Sequence, residues 1–153
     1  MGAINYKTSD FITMGVNTNE LTREECENDF EVAFLDEVAT GIIDNYSFDC
    51  FDVEIIPGHY EGFSVDIKLS FWMFDDYTEK AQAQKEVTKI KAMLKDLAGA
   101  GLVACFPSWC TTYRDYNGTL SEIDAAIKAM KKEVKDTPTY YQTQVMKHGG
   151  KVA

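Results

Sequence analysis

Between Cys26 and Ile42 an apolar residue stands at every fourth position: Cys26, Phe30, Phe34, Val38 and Ile42. Such a stripe marks one side of an α-helix and predicts an amphipathic helix over residues 23–43, with Glu27, Glu31 and Asp36 turned to solvent. Thr22-Arg23-Glu24-Glu25 supplies a capping box at its start. The period then changes. Phe51, Val53 and Ile55 alternate with Asp52 and Glu54, and Phe63, Val65, Ile67 and Leu69 alternate with Asp66 and Lys68. Around Pro57-Gly58-His59-Tyr60-Glu61-Gly62 these two runs predict a β-hairpin, its apolar side on a core and its other side wet and mainly acidic.

Helical periodicity returns at Ala83, Val87, Ile90, Leu94 and Leu97, which predicts a helix over residues 78–98 ended by Gly99 and decorated by Lys80, Lys85, Lys89, Lys91 and Lys95. Leu102-Val103-Ala104-Cys105-Phe106 reads as a short buried strand. After Asn117-Gly118 the capping box Thr119-Leu120-Ser121-Glu122 opens a further helix with Leu120, Ile123, Ile127, Met130 and Val134 on one face. Pro138 stops that helix, and residues 139–153 read as a flexible tail behind a single domain over 1–138.

With Phe11-Ile12-Thr13-Met14-Gly15-Val16 taken as a strand, the order becomes βαββαβ plus one helix, the split βαβ or ferredoxin-like unit. The fold expected is α+β: a mainly antiparallel sheet covered by helices on one face. The 153 residues fit one domain, and 45% apolar residues supply enough to bury. No apolar run approaches the length of a membrane span, and the first residues lack the pattern of a secretory signal, so a cytoplasmic protein is expected.

Charge changes the picture. Residues 1–79 carry three basic residues (Lys7, Arg23 and Lys68) against eighteen acidic ones, whereas residues 80–153 carry twelve basic and seven acidic, within a net charge of -10. An acidic half repels phosphate backbones and steers basic partners towards it. Direct nucleic-acid binding is disfavoured further because Asp52, Glu54 and Asp66 occupy the sheet face where an RNA-binding sheet displays stacking aromatics and basic groups.

Catalytic chemistry finds little footing. Cys26, Cys50, Cys105 and Cys110 lack metal-ribbon or redox spacing, and thiols rather than a Cys50–Cys105 or Cys105–Cys110 disulfide are expected in the cytoplasm. His59, with Glu61 or Asp66, would serve a small hydrolase or nucleotide-modifying enzyme as general base, but no nucleophile accompanies it. The acids Asp49, Asp52, Glu54, Asp66, Asp75 and Asp76 match no dedicated cation loop, and Gly99-Ala100-Gly101 follows a helix rather than opening one, so no metal and no cofactor are expected. The candidates left are interaction residues: an acidic face of Asp52, Glu54, Asp66, Asp75 and Asp76, and an aromatic loop of Trp109, Tyr113 and Tyr116.

Two segments, Pro57-Gly58-His59-Tyr60-Glu61-Gly62-Phe63 and Gly101 to Cys110, give the chain its resemblance to small acidic accessory proteins of phages and integrative elements of low-GC Gram-positive bacteria. The resemblance implies an anti-defence role of the anti-CRISPR or antirestriction DNA-mimic type, and it assigns no site residue. The function expected is non-enzymatic: an inhibitor whose acidic surface occupies a nucleic-acid-binding site on a basic host protein such as a nuclease. The alternatives are the His59 enzyme and a structural or housekeeping phage component.

Overall fold

Strand β3 (Ser64–Trp72) is the centre from which the architecture is built. Its odd positions Val65, Ile67, Leu69 and Phe71 are all buried, and they form the floor of the core. The structure, a computed structural model, describes residues 6–15, 24, 34–57, 64–72, 74–105 and 120–149. Around β3 the chain runs β1 (Tyr6–Gly15), α1 (Leu35–Ile43), β2 (Asp52–Pro57), β3, α2 (Tyr77–Gly99), β4 (Val103–Cys105), α3 (Leu120–Asp136) and α4 (Tyr140–Lys147).

The strands form a four-stranded sheet in the order β2-β3-β1-β4, and every neighbouring pair is antiparallel. Strands β1 and β2 are thus parallel with β3 inserted between them, which is the ferredoxin-like arrangement expected from the element order. β1 is longer than the six residues expected. A register shift between Asp10 and Ile12 puts an extra residue into it, so the alternation that would have revealed the strand breaks in its middle.

Helix α1 packs on β2 and β3, α3 packs on β1 and β4, and α2 lies against both α1 and α3. Ala83, Val87, Ile90, Leu94 and Leu97 of α2 are fully buried, as are Ile123, Ala126 and Met130 of α3. One end of the core is aromatic. The Phe71 and Phe74 rings stack at 4.9 Å between centroids, and Phe51 meets Phe71 edge-on at 5.6 Å, geometries that add to the burial of three large apolar groups.

Three expectations need correction. The described part of the first helix buries Leu35, Ala39 and Ile43, while Phe34 is exposed. Phe34 is the N-cap of α1 and stands outside its helical turns, and within the helix Val38 and Ile42 are half-buried beside the packed line, one residue out of phase with it. Leu120, expected on the apolar face of α3, is 63% exposed because it stands in the helix's first turn, ahead of the stripe that packs. The third concerns residues 140–147, which form a helix within the stretch read as a flexible tail. Thr139 Oγ1 accepts from the Gln142 amide and Gln142 Oε1 accepts from the Thr139 amide, a capping box that restarts the helical chain directly after Pro138. The amides of Tyr140 and Tyr141 donate to the carbonyls of Phe74 and Asp75, which fixes α4 to the β3–α2 connection.

Replacing Phe71 by alanine removes the ring shared by both aromatic contacts. The expected loss, read by urea denaturation, is about 3–5 kcal/mol, the range for truncating a large buried aromatic; a loss near zero would mean the cluster is not packed as described.

Candidate interaction surface

The first half of the chain reaches the second through α2. Tyr46 donates to the Asp96 carboxylate, Lys89 Nζ donates to the Ser47 carbonyl at 2.6 Å and lies 5.4 Å over the Phe48 ring, and the amides of Asp49 and Cys50 donate to Glu86. The Cys50 thiol donates to the Glu79 carbonyl at 3.7 Å. Residues 46–50 therefore run antiparallel along one stripe of α2, from Asp96 back to Glu79, and deliver the chain into β2.

Glu86 is the unusual member of this stripe, because it is a carboxylate only 2% exposed. Its Oε1 accepts from the Asp49 amide at 2.8 Å and the Cys50 amide at 3.0 Å, and Gln82 Nε2 lies 3.5 Å from its Oε2. The amides occupy the role that a positive partner would otherwise fill. The sequence signal for this contact is a charged residue set among the apolar positions Ala83, Val87 and Ile90. The same cluster acts on Cys50. Desolvation first, then its hydrogen bond and charge interaction with Glu86, push the thiol up to about 12. Cys50 is a free thiol, so the Cys50–Cys105 disulfide alternative is not formed.

The acidic residues divide by position. Asp52 and Glu54 are exposed on β2, opposite Ser70 and Lys68 of β3 in register. β2 is an edge strand among the described residues, and two exposed acids with a terminal Pro57 are the features that discourage another strand from adding there. Asp66 lies on the same side of the hairpin, as alternation required, yet it is 6% exposed and so does not belong to a solvent-facing acidic surface. The reason is its strand: β3 is central, with Ile56 of β2 opposite Asp66 on one flank and β1 on the other. Alternation gives the face of a residue, not its distance from the sheet edge.

Asp75 and Asp76 are exposed at the entrance to α2. Asp76 is the N-cap, its Oδ1 accepting from the Glu79 amide at 2.9 Å, while Glu79 Oε2 accepts from the Asp75 amide at 2.6 Å. Because Asp52 pairs with Ser70, the start of β2 and the end of β3 share one end of the sheet, and Asp49, Asp52, Asp75 and Asp76 gather there. His59 and Glu61 lie outside the described residues, as do Trp109, Tyr113 and Tyr116. Among the described residues, no group of three or more His, Cys, Asp or Glu side chains is placed to hold a metal ion, and no helix is long and apolar enough to cross a membrane.

No family model, no curated protein and no solved structure matches the chain.

Two outcomes follow from the Glu86 cluster. Glu86→Ala leaves the Asp49 and Cys50 amides without their acceptor, and urea denaturation should read a loss of about 1–3 kcal/mol, with Glu86→Gln losing less because one carbonyl oxygen remains. The raised Cys50 pKa keeps the folded thiol protonated. It contributes stability that is complete below the ordinary value of 9.0 and is lost as pH rises through about 12. At pH 8–9, iodoacetamide labelling of the peptide containing Cys50 should be slower in the folded protein than in urea, and faster in Glu86→Gln than in the parent. Equal rates in all three samples would contradict the described environment.

Proposed function

We propose that the chain is a non-enzymatic interaction protein whose acidic margin occupies the basic, nucleic-acid-binding surface of a partner protein. One observation carries this reading. Asp49, Asp52, Glu54, Asp75 and Asp76 are exposed along one edge and end of the sheet, whereas α2 and α3 expose Lys85, Lys89, Lys95, Lys128, Lys131, Lys132 and Lys135 interspersed with Asp96, Asp124 and Asp136. An acidic margin set against a surface of mixed charge gives the molecule a direction of approach: it draws a cationic surface to the β2 edge and turns phosphate backbones away from it. The resemblance to accessory proteins of mobile elements supports an anti-defence form of this activity, in which the partner is a host nuclease in the cytoplasm and inhibition is stoichiometric.

The test uses charge reversal at exposed positions of β2. Asp52→Lys combined with Glu54→Lys should leave the fold intact, since surface changes typically alter stability by about 0.5 kcal/mol or less. A protein captured by the parent chain from the cells in which it acts should be released by added duplex DNA or RNA. Its association should slow as salt rises, because exposed charges are screened over about 8 Å at physiological ionic strength. The reversed variant should not capture it. Undiminished capture by the folded variant, or a captured protein that nucleic acid does not displace, would remove the proposal.

A further inference from the structure

Three tyrosines stand out of the described surface at the place where α4 is fixed to the β3–α2 connection. Tyr77 is 51% exposed, Tyr140 53% and Tyr141 59%. Large aromatics left open to this extent, several together, are what interaction surfaces display more often than ordinary surface does. The cluster is held by backbone rather than by chance rotamers. Tyr77 is the first residue of α2, immediately after the N-cap Asp76, and α4 begins at Tyr140 with Thr139, fully buried, as its own cap. The Tyr141 amide donates to the Asp75 carbonyl, and the Tyr77 and Tyr141 rings meet at 6.5 Å between centroids and 60° between planes. Both helix starts are pinned, so the rings are presented from rigid elements at low ordering cost.

The charge beside the rings selects the partner. Asp75 and Asp76 are exposed next to Tyr77, and Glu79 follows on the first turn of α2. Against them stands Lys80, whose Nζ is directed away, donating to the carbonyls of Lys135 and Thr137 at the end of α3, both at 2.7 Å. Carboxylates adjoining open tyrosine faces suit a guanidinium: it makes forked hydrogen bonds to a carboxylate and stacks on an aromatic face, whereas an ammonium offers only a compact charge.

We infer that Tyr77, Tyr140, Tyr141, Asp75 and Asp76 form a docking patch for an arginine-bearing segment of a partner protein. The patch deepens the proposed function and rests on its premise that the partner is basic, but it involves different side chains from Asp52 and Glu54.

The test uses the full chain, labelled with ¹⁵N, and a short arginine–glycine repeat peptide as the probe. The peptide should shift the amide resonances of residues 75–77 and 140–141, and a peptide with every arginine replaced by lysine should bind more weakly. Tyr77→Ala with Tyr141→Ala should weaken binding about tenfold or more, while Tyr141→Phe, which keeps the ring, should bind as the parent does. Asp52→Lys with Glu54→Lys should change the affinity for this peptide by no more than about twofold, so failure of the patch and failure of the β2 margin are read separately. The inference is overturned if the double tyrosine variant binds equally well, if the parent does not bind the peptide, or if the shifts fall on residues 52–54. It is also overturned if sedimentation reveals a dimer of the parent that the tyrosine variant abolishes, since the occupant would then be a second copy of this chain.

Discussion

The contact between the Glu86 carboxylate and the amides of Asp49 and Cys50 holds the two halves of the molecule in register. A carboxylate removed from water without compensation costs several kcal/mol, so its burial is tolerated only where donors converge on it. Here the donors are two successive amides of the segment that enters β2. The bond therefore works in both directions: the helix carries a group that must find amides, and the strand's approach has amides that must find an acceptor. Everything that later bears on partners depends on where β2 starts, because Asp52 and Glu54 follow within a few residues.

Helix α2 performs two such tasks from two stripes. Glu79, Glu86, Lys89 and Asp96 address residues 46–50, whereas Lys80, Gln84 and Lys91 address α3 through the carbonyls of Lys135 and Lys131 and the carboxylate of Asp124. The spacing along α2 rises as that along α3 falls, which is the signature of antiparallel helices. The apolar residues of α2, Ala83, Val87, Ile90, Leu94 and Leu97, are buried in the core. Its polar groups thus specify which neighbour goes on which side, while the apolar residues supply most of the cohesion.

Much of this was legible in the sequence. Period-two alternation located β2 and β3, the 3.6-residue period located α2 and α3, and the order of elements matched the ferredoxin-like unit without fixing the order of strands in the sheet. The limits were physical. In the first helix the line through Phe34, Val38 and Ile42 lies one residue out of phase with the face buried by Leu35, Ala39 and Ile43, and where the helix begins, at the cap Phe34, is not marked by apolar spacing. α4 has scant apolar periodicity because none of its side chains is fully buried, yet Thr139-Tyr140-Tyr141-Gln142 carries a capping box that a search for caps alone would have found. For the acidic residues, alternation separated Asp52, Glu54 and Asp66 from the core side correctly, but whether such a residue meets water depends on strand order, a long-range property. The exposed tyrosines at 140 and 141 were hidden by the expectation of a tail.

The sheet order also bears on how the chain acquires its structure. β1 is made first and lies in the interior of the sheet, yet one of its neighbours, β3, begins at Ser64 and the other, β4, at Val103. Only the β2–β3 pairing is local. Sheets whose central pairings join distant parts of the chain fold slowly, since loop closure must come before the contacts that stabilise it. During synthesis, β1 consequently emerges long before either neighbour, a strand with two open edges. The fourteen acidic residues that precede Ser64, whatever they do for a partner, also give the emerging chain like charge, and mutual repulsion between nascent copies would keep the edges of β1 from finding one another before β3 arrives.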